Sequence, residues 1–129
     1  MLVQGMAVGV GAALGAVLRW RLAFLFNAVF PPIPMGTLAA NLIGGFLAGV
    51  CLEYLTRSAV PLELRLALTT GFLGGLTTFS TFSAETVALV LRRDYLLSGA
   101  IIGLHLIGSL TLTLLGVYCV RALFSLRAA

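Results

Sequence analysis

Gly71-Phe72-Leu73-Gly74-Gly75-Leu76-Thr77-Thr78-Phe79-Ser80-Thr81-Phe82-Ser83 lies inside a long apolar segment, yet it carries three glycines and five hydroxyl side chains. A helix facing only lipid has no use for that composition. Glycine costs a helix interior roughly 1 kcal/mol relative to alanine, and a Gly-Gly pair followed by two threonines favours an interruption. An interruption at membrane depth frees backbone carbonyls, which are tolerated only where protein or a water-lined cavity covers them. The stretch therefore predicts a broken transmembrane helix that holds an ion.

The surrounding chain agrees. It has 129 residues, 60% hydrophobic and 9% charged, with a mean hydropathy of +1.13. A soluble domain carries about a quarter charged residues. At about 20 residues per span, four helices fill this chain. Spans are predicted at roughly 3–27, 36–54, 63–92 and 95–123, in one all-α domain. The third is long for a single straight span and suits two half-helices around Gly74-Gly75, with the break expected near Gly74–Thr78. The segment Phe30-Pro31-Pro32-Ile33-Pro34 cannot continue a helix, because proline lacks a backbone donor and restricts its predecessor. The first helix has no charged leader before it, and it reads as retained rather than as a signal peptide.

Polar residues inside the spans are the candidate functional set. Arg19 lies within helix 1 beside Trp20 and Arg21, either snorkelling to the interface or standing in an aqueous vestibule. Asn41 is a lone amide on the same helical face as Thr37, Gly45 and Gly49, and can bind a neighbouring helix or offer donors to a passing ion. His105, Ser109 and Thr113 repeat at four, a polar stripe about 12 Å long at 1.5 Å per residue. Taken alone, His105 reads as a packing residue. Gly5 with Gly9, and Gly99, Gly103, Gly108 and Gly116, supply close-packing surface. Cys51 and Cys119 have no metal-ligand spacing and read as small buried thiols. All eight basic residues are arginines, scattered rather than gathered into a patch, so nucleic acid is not an expected partner. No acid pair, cysteine-histidine pair or metal cluster points to an enzyme.

Charge gives an orientation argument. With four spans, Arg57, Arg65, Arg121 and Arg127 share one side, and Arg19, Arg21, Arg92 and Arg93 the other. The positive-inside rule works through a bias, and here there is almost none. Such a chain can insert both ways up, and two opposed copies can pair as the inverted repeats of larger transporters do. An antiparallel homodimer in the lipid bilayer is predicted.

The string Gly74-Gly75-Leu76-Thr77-Thr78-Phe79-Ser80-Thr81-Phe82-Ser83, with Gly36-Thr37-Leu38-Ala39-Ala40-Asn41 before it and Gly108-Ser109 after it, resembles the Fluc family of fluoride ion channels. The likeness extends over essentially the whole chain. It implies a dual-topology dimer of the inner membrane with two antiparallel pores that passively export fluoride. By the same likeness Asn41, Phe79 and Phe82 line the pore, with Ser109, Thr113, Ser80 and Thr81 along the anion path. Gly74 and Thr77 match positions whose backbone carbonyls hold a sodium ion between subunits, and Arg19 matches a basic position near the vestibule.

The chemistry is consistent with that expectation. Fluoride is small and strongly hydrated, so a pore must replace water's donors closely. Hydroxyls and amides do this, and a phenyl ring presents a positively polarised edge. Conduction also requires binding weak enough to escape. Two other readings stand beside the channel: a small dual-topology proton-coupled multidrug transporter, and a noncatalytic assembly subunit. The first relies on an acid in helix 1, and there is none here; Glu85 is placed differently.

Overall fold

The computed structural model describes residues 1–128, whose regular elements are all helices joined by short turns, with no strand among them. Three helices are long and apolar enough to cross a membrane: α1 (Leu2–Phe26), α2 (Met35–Arg57) and the helix from Tyr95 onward. The remaining hydrophobic segment is divided into α3 (Leu62–Leu66), a π-helical stretch (Ala67–Leu73), α4 (Gly74–Leu76) and α5 (Phe79–Leu91); α6 (Tyr95–Ala128) follows.

The turn predicted at the prolines is present, and Asn27 closes it. Its Oδ1 accepts the backbone N–H groups of Gly36 (2.8 Å) and Thr37 (3.3 Å). Pro34, at the N-cap of α2, has no side chain able to do this, so two otherwise unpaired donors of the first turn are satisfied from across the loop. At its other end α2 is tied to α6 by Glu53. Its Oε1 pairs with Arg57 (2.6 Å) and its Oε2 with Arg121 (3.1 Å), while the Arg57 guanidinium lies over the Phe124 ring. Cys51 is half-buried, but Cys119 is exposed on α6 rather than buried.

Two glycine seams set the helix positions. Along α1, a Cβ on Gly15 would collide with the Phe72 carbonyl, and one on Gly75 with the Ala12 carbonyl. Between α2 and α6, a Cβ on Gly49 would meet the Thr113 carbonyl. Close backbone approach of this kind is what small residues allow in lipid, where no hydrophobic effect drives helices together. Not every expected seam is used within the chain. Gly5, Gly9, Gly99 and Gly103 have nothing within 4 Å of a built Cβ.

The interruption of the third segment is real and falls at the C-terminal end of the expected Gly74–Thr78 stretch, past the Gly74-Gly75 pair itself. Gly74 is helical (φ −64°, ψ −35°). The extended residues are Thr77 (φ −83°, ψ 152°) and Thr78 (φ −148°, ψ 114°). Gly75 serves packing against α1, and the break occurs where side chains offer the backbone other partners. The π-helical stretch before it was not expected from the sequence. Its backbone at Ala67 and Phe72 is where Gly11 of α1 approaches.

Candidate functional site

The site is built on the break. In an unbroken α-helix the carbonyls of Gly74, Gly75 and Thr77 would accept from Thr78, Phe79 and Thr81. Two of those donors are diverted to side chains. The Thr78 N–H goes to Asn41 Oδ1 (2.7 Å), and the Thr81 N–H to Thr78 Oγ1 (3.1 Å). The Gly74 and Thr77 carbonyls thereby lose their helical partners. Gly75 finds a substitute, because Arg19 Nε donates to its carbonyl at 3.0 Å. Arg19 is therefore engaged through Nε with the end of α4.

Asn41 spans the break from α2. Besides accepting from the Thr78 N–H, its Nδ2 donates to the Thr78 carbonyl (3.0 Å), so one amide mimics a paired backbone unit. The same Nδ2 lies 3.0 Å from His105 Nδ1 on α6. The imidazole in turn stacks on Phe82, ring centroids 4.7 Å apart, and Phe82 lies 5.5 Å from Phe79. These groups line a cleft of about 500 Å³ between α2, the break, α5 and α6, with Thr78 and Ser109 also on its wall.

Of the residues singled out in the sequence, the cleft gathers Asn41, Phe79, Phe82 and Ser109. Thr113 does not line it; its hydroxyl lies against the carbonyls of Gly45 (2.9 Å) and Ser109 (2.8 Å). Ser80 and Thr81 are one turn into α5 and cluster on Thr78 Oγ1 at 3.2 and 2.9 Å. Gly74 and Thr77 line a second cleft of about 510 Å³ with Arg65 and Thr69, and Thr77 belongs to both. The segment thus divides its two sets of candidates between adjoining spaces.

Two residues play larger parts than their sequence context implied. His105 is buried, bonded to Asn41, with Nε2 lacking any partner among the described residues. Glu85 accepts from Thr37 Oγ1 at 2.7 Å through Oε1, while Oε2 is buried without a partner. The i, i+4 stripe of α6 was the only signal for His105, and nothing local ties Glu85 to Thr37, 48 residues away.

The chemistry of this cleft suits a small anion. The N-terminus of α5 opens beside it, where first-turn N–H groups without helical acceptors and the helix dipole favour negative charge. Aromatic edges and a serine hydroxyl add weak, replaceable donors. No fixed cation lines this cleft to trap an anion.

Comparison with known proteins gives the same direction. The family profile described as "CrcB-like protein, Camphor Resistance (CrcB)" matches residues 6–117. A protein of Ralstonia nicotianae named fluoride-specific ion channel FluC is 57% identical over 118 residues, covering 91% of this chain and 94% of its own. The protein of the same name from Ralstonia pickettii is 59% identical over 117 residues, covering 90% and 93%. That of Nitrosospira multiformis is 56% identical over 116 residues, covering 89% and 91%. With this profile match and these full-length likenesses, the chain belongs to the CrcB, or Fluc, family of multi-pass membrane proteins.

Proposed function

We propose that this protein is a fluoride-selective channel. It lets cytoplasmic fluoride leave passively across the inner membrane, and so gives fluoride resistance. One observation carries the reading: Asn41, Phe79, Phe82 and Ser109 converge on one cleft at a helix break, in a chain 57% identical to a protein named for fluoride conduction. Hydrogen fluoride crosses bilayers as a neutral weak acid and dissociates inside, so an exit for the anion is useful to a cell. The cleft supplies what a dehydrating fluoride ion needs, at donors individually weak enough to release it.

The finer parts of the reading are an antiparallel homodimer and a sodium ion at the break. Support for the dimer comes from the balanced arginines and from what the single chain leaves open. Phe79 is 79% exposed although it lines the cleft. A built Cβ at Gly74, Gly5 or Gly99 has no neighbour within 4 Å. A second, inverted copy seated there would complete the wall. For sodium, the fit lies in the backbone: the carbonyls of Gly74 and Thr77 have lost their helical donors. Such hard oxygen atoms suit a hard cation. Two copies would contribute four, and the bound positive charge would lower the energy of a nearby anion.

Reconstituted in liposomes, the protein is expected to release fluoride rapidly and chloride hardly at all. Comparable rates for the two ions would overturn the assignment. Transport that depends on a proton gradient would favour the exchanger reading instead.

A further inference from the structure

From the geometry around the break we infer that Asn41 is a positioning residue that fixes the tautomer of His105, holding the imidazole with its proton on Nε2. The argument starts at the Thr78 backbone. Its N–H can only donate and its carbonyl can only accept, so the two contacts at 2.7 and 3.0 Å orient the Asn41 amide without ambiguity. A flipped amide would set an NH2 group against an N–H and an oxygen against an oxygen. With Oδ1 taken by the Thr78 N–H, the group facing His105 is Nδ2, and it has two protons. One is directed to the Thr78 carbonyl; the other is left for the imidazole at 3.0 Å.

A donor at that position requires an acceptor on the ring. Neutral imidazole has one nitrogen of each kind, so Nδ1 is the unprotonated nitrogen and Nε2 the protonated one. The Nε2–H is buried with no acceptor among the described residues. The choice of tautomer is therefore not made by any partner of Nε2; it is imposed from the other side of the ring, by the broken backbone acting through Asn41. The imidazole so held is the surface on which Phe82 stacks at 4.7 Å. A chain of fixed groups then runs from the Thr78 backbone to the phenyl ring on the cleft wall. On this account the second amide proton of Asn41 is already engaged, and Asn41 acts through His105 rather than as a free donor to the ion.

The test is spectroscopic, and the sequence makes it clean because the chain holds a single histidine. Protein labelled with 15N-histidine and reconstituted in lipid bilayers is expected to show a protonated Nε2 and an unprotonated Nδ1. Asn41→Asp keeps the shape and an acceptor for the Thr78 N–H but sets an acceptor oxygen opposite Nδ1, so Nδ1 should become protonated, whether as the neutral Nδ1–H tautomer or as imidazolium. Phe82→Ile, which changes no donor or acceptor, should leave the wild-type pattern. A wild-type ring protonated at Nδ1 would overturn the assignment, as would the same pattern in Asn41→Asp. The functional consequence rests on the channel reading, but the tautomer is observed whether or not the vesicles pass fluoride. Failure of one is therefore distinguishable from failure of the other.

Discussion

The two halves of the third hydrophobic segment are held in opposite ways. The half before the break lies against α1 by backbone contact: Gly15 and Gly75 admit the opposing main chain, and Leu73 and Leu76 are buried. The half after it, α5, has no buried residue at all. It is held by Thr37 to Glu85, by Asn41 at Thr78, and by the Phe82 ring on His105. Close-packed backbone has no slack, so the first half is a fixed post. A few directional contacts leave the second half with an open face, which is what a cleft for a moving ion requires. On the proposed channel reading, function is concentrated where packing is sparsest.

The comparison can be broken at each side. The largest effect is expected from Gly75→Leu, whose side chain would occupy the space of the Ala12 carbonyl. Overpacking against backbone that cannot yield should cost about 3 kcal/mol or more, seen as loss of the monodisperse peak on size exclusion. A folded, active variant would show that the post is less rigid than described. On the other side, Thr37→Val removes the donor to Glu85 and leaves both carboxyl oxygens without a partner. A buried acceptor left unsatisfied costs about 2 kcal/mol, which should lower the thermal unfolding midpoint while leaving the α1 seam intact.

A smaller change in energy should have a functional readout. Phe82→Ile loses contact with both Phe79 and His105. Fluoride flux should fall about tenfold, equivalent to about 1.4 kcal/mol in the barrier, with elution unchanged. Wild-type flux would remove Phe82 from the ion path. The smallest effect on folding belongs to Gly74→Ala. Gly74 adjoins Gly75, but its Cβ position is open and its backbone is already helical. Alanine should change stability by less than about 1 kcal/mol. Flux lost from a folded Gly74→Ala protein would sharpen the case that a second copy or a cation approaches that position.

Much of this was legible along the chain. The apolar spans, the proline turn and an interruption near residue 75 followed from composition and backbone preference. The site residues were partly legible: His105 and Ser109 of the polar stripe on α6 and the lone Asn41 border the cleft. The break falls within the expected Gly74–Thr78 stretch, at its C-terminal end and past the glycines, because glycine propensity is a local quantity. Gly74 and Gly75 remain helical, the bare backbone of Gly75 being used for approach to α1, while Thr77 and Thr78 leave the helix because Asn41 offers Thr78 another partner. Thr113 shared the stripe but is engaged with two carbonyls, a distinction that spacing alone does not make.

The amino-acid sequence by itself determined that this is a four-segment membrane protein of the Fluc type, with one segment interrupted by residues too polar for lipid. Composition and segment length suffice for the spans, because the bilayer imposes length and hydrophobicity on every one; the Fluc type rests on the resemblance of the motifs. Only the tertiary structure decided which carbonyls the interruption releases, that Arg19 covers one of them, and that Asn41 joins the break to His105. Those links connect residues 37 to 64 positions apart. They depend on distances and hydrogen-bond directions that exist only once the glycine seams have set the helices side by side.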